Sequence, residues 1–275
     1  MKKTTLFADM HTHSENSHDS CCKIEDMVKA QIKRGSVFFA VTDHFDTDLY
    51  GKTDIFTPIK NAATECRRIN EIYGSECTAL CGVELGEGFW NNDAYRRIIE
   101  QEGYDVVLGS IHQVRFENLT EAYARIDFSL LSEETIYAYL DAYFDDLLTM
   151  LESTDFDILC HLTCPLRYIN GKYGLGLDIS PFESKIENIL KRTIEKGVSL
   201  EINTSSADLL SDYMPPRSII EKYYNMGGRM VTLGSDAHKA ENAAKAFEQA
   251  VRDLKQMGFE HIYYYKNRKP CKIKI

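Results

Sequence analysis

Short apolar runs alternate along the chain with longer segments in which apolar residues recur at helical spacing. The short runs predict strands at 4–9, 37–42, 76–85, 106–111, 156–160, 198–202, 229–233 and 261–265. The longer segments predict helices at 24–33, 55–73, 93–102, 133–151, 181–196, 217–225 and 240–257. This regular alternation predicts an α/β fold with a parallel sheet.

Glycines mark the ends of most predicted helices. A glycine stands between a predicted helix and the next predicted strand at Gly35, Gly74, Gly103, Gly197, Gly227 and Gly258. Glycine is common at this position because it adopts positive φ without a steric penalty. We therefore expect positive φ at all six positions.

About eight strands, each followed by a helix, favour a sheet that closes into a barrel of one domain, residues 1–275. An open doubly wound sheet is the alternative. Neither Gly-x-Gly-x-x-Gly nor a P-loop motif follows the first predicted strand, which argues against the usual dinucleotide and P-loop sites. The segments 114–131 and 167–179 are longer connections, and the second is expected to cover a site.

Composition narrows the class of protein further. The chain is 44% hydrophobic and 27% charged, which excludes a disordered chain. A net charge of −10 disfavours nonspecific binding to nucleic acid or to an anionic membrane. No apolar run approaches the roughly 18 residues of a membrane helix. The N-terminal residues lack the apolar region of a signal peptide, and the eight cysteines are interpreted as reduced thiols, so we expect a cytoplasmic protein.

The histidines concentrate where predicted strands end. Of the eight histidines, all but His261 follow a predicted strand: His11, His13, His18, His44, His112, His161 and His238. The C-terminal ends of the strands of a parallel barrel share one face, which carries the active site. Imidazoles packed together without a cation would cost desolvation energy and would repel one another when protonated. The pattern therefore indicates a metal site.

Two carboxylates join these histidines. Glu84 ends a predicted strand in Gly-Val-Glu, and Asp236 lies two residues before His238. An acid at the end of an apolar strand is unfavourable unless it is paired or bound to a metal. Imidazoles and carboxylates together suit Zn²⁺, Mn²⁺ or Fe²⁺. The candidates exceed what one ion binds, so we expect two to three divalent ions.

At these residues the chain resembles the PHP (polymerase and histidinol phosphatase) superfamily. The matching motifs, in the family's order, are His-x-His at 11–13, His18, Thr-Asp-His at 42–44, Gly-Val-Glu at 82–84, Gly-Ser-Ile-His at 109–112, His161 and Gly-Ser-Asp-Ala-His at 234–238. The resemblance implies a distorted (β/α)7 barrel, with the eighth predicted strand outside it. The chain is similar in length to the family's stand-alone histidinol-phosphate phosphatases of histidine biosynthesis, so the resemblance implies hydrolysis of a small-molecule phosphomonoester, with L-histidinol phosphate as the expected substrate.

The resemblance also implies a trinuclear site. It assigns the first metal to His11, His13, Glu84 and Asp236. It assigns a second, bridged by Glu84, to His112 and His161. It assigns the third to His18, His44 and His238. The expected reaction is phosphomonoester hydrolysis by a hydroxide that bridges the two ions sharing Glu84.

Cationic side chains near the predicted site are candidates for binding the phosphate. Arg167 is preferred because it opens the glycine-rich connection, and a guanidinium matches two phosphate oxygens. Arg115 and Lys172 are further substrate-binding candidates. The expected catalytic residues are Glu84, Asp236 and Arg167. Asp43 and Asp19 each precede or follow a predicted ligand and are expected to accept hydrogen bonds from imidazoles. Asp19 is also a candidate for protonating the leaving group.

Other functions remain open from the sequence. A phosphoesterase of this superfamily acting on nucleotides, oligonucleotides or phosphotyrosine is the main alternative. A non-catalytic metal-binding or interaction subunit is another, although such a protein is expected to have lost some ligand positions. A metal-dependent amide hydrolase is a further alternative, because His-x-His also occurs in other metal-hydrolase barrels.

Overall fold

The structure is a computed structural model and describes residues 6–101 and 103–275. The strands are β1 (Phe7–Thr12), β2 (Ser36–Val41), β3 (His44–Asp46), β4 (Thr78–Gly86), β5 (Val106–Ser110), β6 (Ile158–Leu159), β7 (Ser199–Asn203), β8 (Val231–Gly234), β9 (His261–Lys266) and β10 (Lys269–Lys274). The helices are α1 (Ile24–Arg34), α2 (Phe56–Tyr73), α3 (Asn92–Ile99), α4 (Glu133–Ser153), α5 (Glu183–Lys196), α6 (Ala207–Leu210), α7 (Arg217–Asn225) and α8 (Phe247–Met257).

Seven parallel strands close into a barrel in the order β1, β2, β4, β5, β6, β7 and β8, and β8 pairs back onto β1. The short strand β3 lies outside this ring and pairs with the end of β4. The predicted (β/α)7 barrel is therefore confirmed. The alternative, an open doubly wound sheet, is wrong. β1 pairs with both β2 and β8, and β2 also pairs with β4, so the ring of seven strands has no free edge.

The eighth predicted strand lies outside the barrel, as the resemblance implied. It pairs as β9 with β10, which the sequence analysis did not predict, to form an antiparallel hairpin. Tyr265 of β9 belongs to the same cluster of buried apolar residues as Met10 and Leu108 of the barrel. Its hydroxyl donates a hydrogen bond of 3.0 Å to the carbonyl oxygen of Asp157 and lies 2.8 Å from Ser199 Oγ. Since Asp157 precedes β6 and Ser199 opens β7, the hairpin covers the N-terminal end of the barrel.

Two details of the predicted elements are wrong. Gly74 has a φ of −62°, whereas the other five helix-ending glycines have positive φ. The helix predicted at 240–257 begins only at Phe247. Its first part is a 3-10 turn at Ala240–Asn242, followed by positive φ at Ala244 and Ala246. The Ala244 backbone N–H donates to Asp9 Oδ2, which holds the chain out of a helix. The predicted strand residues 4 and 5 and helix residue 102 lie outside the described residues.

The hydrophobic core has an outer layer and an inner one. The outer layer lies between the barrel strands and the helices and includes Tyr139, Phe144 and Leu147 of α4. The inner layer fills the barrel with apolar side chains of mixed size, among them Ala8, Met10 and Leu108. Within the described part of the chain, no helix is both long and apolar enough to cross a membrane. The packed interior leaves the C-terminal ends of the strands as the face on which a site can form.

Candidate metal centre

The barrel collects the predicted ligands at one end. Each barrel strand except β7 carries at least one of them at or just beyond its C-terminal end. In chain order they are His11 and His13 with β1, His44 after β2, Glu84 in β4, His112 after β5, His161 after β6, and Asp236 and His238 after β8. The sequence prediction that these residues converge agrees with their positions.

An irregularity in β1 aims its two histidines. Asp9 pairs with Phe39 and Thr12 pairs with Val41, so three steps along β1 match two along β2. Such a bulge redirects the side chains that follow it. His11 Nε2 lies 3.1 Å from His13 Nε2. Two ligands of one zinc ion, each about 2.0–2.1 Å from it, would have a similar separation.

Glu84 lies at the centre of the cluster and is fully buried. Its Oε1 is 3.0 Å from His112 Nε2 and 2.9 Å from His161 Nε2. Its Oε2 is 3.0 Å from His44 Nδ1. The same oxygen is 3.4 Å from His11 Nε2 and 3.5 Å from His13 Nε2. One carboxylate therefore lies close to five imidazoles that come from four different segments of the barrel end.

Potential ligand atoms within 4.8 Å of one another form several groups. The groups include His11, His13 and Asp236; Glu84, His112 and His161; and His13, His44 and His238. The first two correspond to the first and second metals that the resemblance implies. In the third group, His13 occupies the place that the resemblance gives to His18.

His18 lies at the rim of the cluster and is exposed. Its ring centre is 5.1 Å from that of His44. The neighbouring Asp19 Oδ2 lies 3.0 Å from His238 Nε2 and 3.4 Å from His44 Nε2. Burial raises the pKa of the Asp19 carboxyl, but its hydrogen bonds to these two imidazoles lower it to well below its ordinary value. These contacts favour Asp19 as an acceptor and not as the proton donor to a leaving group.

The charges within the cluster are strongly coupled. Burial raises the pKa of the Glu84 carboxyl, but the imidazoles of His112, His11 and His44 hold it well below its usual range. Burial lowers the pKa of His44, yet Glu84 and Asp19 raise it to about 10. His13 behaves differently, because burial and the neighbouring His44 and His238 lower its pKa to about 3. Its imidazole is therefore neutral at pH 7 and offers a lone pair.

Unpaired buried atoms test whether the cluster fits metal ions. Within the described residues, the buried atoms Glu84 Oε2 and His44 Nδ1 lie 3.0 Å apart without the geometry of a hydrogen bond, and neither has another hydrogen-bond partner. Buried polar atoms without a partner are rare and require an explanation. Carboxylate and imidazole atoms that converge without hydrogen bonds are what a cation site needs. The donor set fits divalent metal ions.

The three predicted phosphate-binding side chains do not lie together in the structure. Arg167 lines the cavity above the cluster, with Nη1 3.6 Å from Asp236 Oδ2 and 3.3 Å from Ser205 Oγ. The Arg115 guanidinium instead lies 4.0 Å from the centre of the Trp90 ring. Lys172 lies 4.8 Å from the Tyr173 ring centre. The structure brings Arg167 to the cavity and leaves Arg115 and Lys172 outside its lining, where they do not support the predicted substrate contact.

Several polar residues that hold the ligands were not predicted. Glu201 Oε1 lies 2.7 Å from His11 Nδ1. Asp46 Oδ1 lies 3.2 Å from His112 Nδ1. Glu87 accepts hydrogen bonds from the backbone N–H groups of His112 and Gln113, and burial raises its pKa to about 8. An acidic residue within an apolar strand was the signal that identified Glu84 as a candidate. The same signal is present at Glu201, in Ser-Leu-Glu-Ile-Asn, and could have identified it.

Asp43 acts on a different histidine from the one beside it in sequence. Its Oδ1 accepts a hydrogen bond of 2.9 Å from Ser17 Oγ, which lies 3.0 Å from His13 Nδ1. Its other oxygen accepts from the Ser14 hydroxyl. Asp43 therefore supports a ligand imidazole, as expected, but through a serine and at His13.

The cysteines are free, and most are buried. This agrees with their interpretation as reduced thiols. Cys160 nevertheless reaches the cluster, because it offers a sulfur within 4.8 Å of ligand atoms of His11 and Glu84. The sequence analysis treated it only as one of the reduced thiols. Cys160 directly follows β6 and precedes the predicted ligand His161 by one residue, and this position could have indicated that it reaches the cluster.

The closed barrel and its imidazole–carboxylate cluster define a metal-binding barrel protein of the TIM-like class. The family model of the PHP domain matches residues 9–205. The chain therefore belongs to the PHP domain family. Asp236 and His238 lie beyond the matched segment and still complete the cluster.

Similar proteins cover nearly the whole chain. A probable histidinol-phosphatase of Thermotoga maritima is 28% identical over 254 residues, 92% of this chain and 94% of the relative. A histidinol-phosphatase of Lactococcus lactis is 24% identical and covers 95% of both chains. The structure of a histidinol phosphate phosphatase from L. lactis, in complex with zinc, L-histidinol and phosphate, superposes with a TM-score of 0.80. It is 22% identical and covers 98% of this chain and 100% of its own.

Replacing Glu84 by Gln tests the centre of the cluster. The change keeps the size of the side chain but removes the negative charge that the five imidazoles surround. We expect loss of bound metal and of nearly all turnover, with the barrel still folded. Metal content by mass spectrometry and far-UV circular dichroism would measure both. His261→Asn, at the start of β9 and outside the cluster, should alter neither, and full metal content in Glu84→Gln would contradict the central role.

Raising the pH should destabilise the metal-free protein. The folded pKa of His44, about 10, lies above the roughly 6.5 of an unfolded histidine. Between these values the folded state holds a proton that the unfolded state has lost, so stability is fully present below about pH 6.5 and falls as pH rises. We expect the melting temperature of chelator-treated protein to fall from pH 7 to pH 9.5. The decline should be shallower in His44→Asn; equal slopes would show that His44 is not responsible.

Proposed function

We propose that this chain is a metal-dependent histidinol-phosphatase that converts L-histidinol phosphate and water into L-histidinol and phosphate. Residues 1–275 would form one phosphoesterase domain. The observation that carries the proposal is the cluster around Glu84 at the end of a PHP barrel, with Arg167 on the wall of the cavity above it. The cluster provides the metal-binding chemistry, and the arginine provides a group that binds phosphate.

The similar proteins support the choice of substrate. The relatives from Thermotoga maritima and Lactococcus lactis align over nearly their whole length and carry the name histidinol-phosphatase. The L. lactis structure holds L-histidinol and phosphate. We infer that this chain acts on the same phosphomonoester and uses Zn²⁺, Mn²⁺ or Fe²⁺.

The metal ions would be held by the nine predicted ligands. These are His11, His13, His18, His44, Glu84, His112, His161, Asp236 and His238. When bound, divalent ions lower the pKa of water and neutralise charge on a phosphoryl group. The protein's acidic net charge of −10 makes this local positive charge necessary for binding an anion.

Arg167 would bind and orient the phosphoryl group. Its side chain is one-third exposed and lines the cavity, so it can donate to a ligand there. Asp236 and Ser205 hold the other side of the guanidinium at 3.6 Å and 3.3 Å. A fixed fork of donors matches two phosphoryl oxygens and stabilises the charge that develops during in-line displacement.

The rest of the substrate would lie against an aromatic wall. Tyr123 and Tyr168 line the cavity beside His112. The rings of the two tyrosines are 5.5 Å apart at an angle of 45°. The Tyr123 hydroxyl is buried and has no hydrogen-bond partner among the described residues. An imidazole group suits this wall because it is flat and can accept a hydrogen bond.

Cellular location and nucleic-acid binding remain predictions from the sequence. The free cysteines suit a reducing cytoplasm. The acidic net charge disfavours nucleic acid as a partner.

Phosphate release from L-histidinol phosphate tests the proposal most directly. Zinc- or manganese-loaded protein should hydrolyse this compound with a kcat/KM of about 10⁴ M⁻¹s⁻¹ or more. A nucleoside monophosphate, phosphotyrosine and short single-stranded DNA would be measured beside it. Comparable or higher rates on one of these compounds would reject histidinol phosphate as the substrate and favour the corresponding PHP activity.

The two arginines should differ when each is replaced by alanine. We expect Arg167→Ala to lower kcat/KM by about 100-fold, as the loss of one charge-stabilising donor does in other enzymes. Arg167→Lys should recover only part of this loss, because an ammonium lacks the planar fork. Arg115→Ala, which removes a side chain stacked on Trp90, should change kcat/KM much less. Equal losses in the two alanine variants would contradict the role of Arg167.

A further inference from the structure

We propose that Glu201 is a positioning residue that holds His11 and His161 in the states that bind metal. The proposal rests on the metal centre inferred above and adds a residue to it. Glu201 lies on β7, the barrel strand that carries none of the predicted ligands. Its side chain is buried, and each of its oxygens contacts a different ligand histidine.

The first contact determines which ring nitrogen of His11 carries the hydrogen. Glu201 Oε1 lies 2.7 Å from His11 Nδ1, and both side chains are buried. An ionised carboxylate only accepts hydrogen bonds, so Nδ1 carries the hydrogen. The Nε2 atom, which faces His13 and Glu84, is then the one that keeps its lone pair in the neutral imidazole. A carboxylate behind a ligand histidine fixes the ring and makes it a stronger ligand.

The second contact holds the backbone of His161. The His161 N–H donates a hydrogen bond of 2.7 Å to Glu201 Oε2. The φ of His161 is +22°, in a region that residues other than glycine rarely adopt. Such a conformation persists only where the surroundings enforce it. The hydrogen bond to Glu201 helps to hold it, and the His161 side chain reaches Glu84 from there.

The Glu201 carboxylate is itself fixed in place. Asn203 Nδ2 donates a hydrogen bond of 3.1 Å to Oε2. The Asn203 carbonyl oxygen Oδ1 in turn accepts from the Ser205 hydroxyl, which also contacts Arg167. Glycine at 234 provides the space, because a Cβ there would lie 1.9 Å from Glu201 Oε1. Gly234 is therefore needed for close approach and not for its φ.

Glu201→Gln isolates this function with little change in shape. The His161 N–H and the Asn203 amide both need an acceptor, so the glutamine oxygen must occupy the position of Oε2. The glutamine NH₂ group then faces His11 Nδ1 and makes that atom an acceptor. The neutral imidazole would carry its hydrogen on Nε2, where it blocks metal binding.

We expect Glu201→Gln to bind Zn²⁺ about 10- to 100-fold more weakly than the wild type, as measured by competition with a chromophoric chelator. The melting temperature of the metal-free variant should stay close to that of the metal-free wild type. Excess Zn²⁺ should restore turnover in proportion to the metal bound. Glu201→Asp keeps an acceptor-only carboxylate but is one methylene shorter, so its affinity should lie between the two.

Asp157→Asn is the matched control. Asp157 is a partly buried carboxylate. Like Glu201, it accepts a hydrogen bond from the backbone N–H of a neighbouring strand, here that of Val107. It binds Arg268 at the opposite end of the barrel. Its loss should lower the melting temperature and leave Zn²⁺ affinity unchanged.

Wild-type Zn²⁺ affinity in Glu201→Gln would overturn the proposal. If that variant does not fold, wild-type Zn²⁺ affinity in Glu201→Ala, which removes both acceptor oxygens, would overturn it instead. An equal loss of affinity in Asp157→Asn would also overturn it, because the effect would then follow stability alone. The measurement uses Zn²⁺ without substrate, so failure to hydrolyse L-histidinol phosphate would reject the proposed function and leave the role of Glu201 standing.

Discussion

The buried carboxylate of Glu84 is the constraint on which the functional end of the barrel depends. A charge with almost no exposure to water is tolerated only when opposite charges or a metal surround it. Five imidazoles meet this requirement from β1, from β3, and from the segments that follow β5 and β6. The cluster therefore joins several strands at the barrel end, and its geometry depends on all of them at once.

Unusual backbone conformations serve the same cluster. β1 contains a bulge before its histidines, and His161 and Asp236 have φ values of +22° and +50°. Strained residues collect where the surrounding structure fixes them and where function requires a particular direction of the side chain. Buried carboxylates at Asp9, Glu87 and Glu201 bind the backbone N–H groups of these segments. The rigid face that results holds the ligands in place before any metal arrives.

The sequence predicted what repeats or clusters, and it missed what depends on three-dimensional contacts. Alternation of strands and helices predicted a closed parallel barrel of about eight strands, and the resemblance to the PHP superfamily reduced the ring to seven. Histidines after strands were enough for most of the cluster. The role of Glu201 was missed although its setting in an apolar strand resembles that of Glu84. The position of Arg115 beside Trp90 was not predictable, because it depends on how two loops pack. The strand β10 was missed because its lysine-rich pattern reads as a solvated tail.

The seam between β1 and β8 has a consequence for the order in which the protein matures. Asp9 pairs with Leu233, the Asp236 N–H donates to the carbonyl oxygen of His11, and the His13 N–H donates to that of Ala237. The contacts that close the ring between β1 and β8 therefore also bring Asp236 and His238 to the cluster. During synthesis, the histidines of β1 emerge more than two hundred residues before Asp236 and His238. A metal ion bound by ligands from both sides of that seam would stabilise the closed barrel. A partly synthesised chain lacks the ligands after β8 and could not be stabilised in this way.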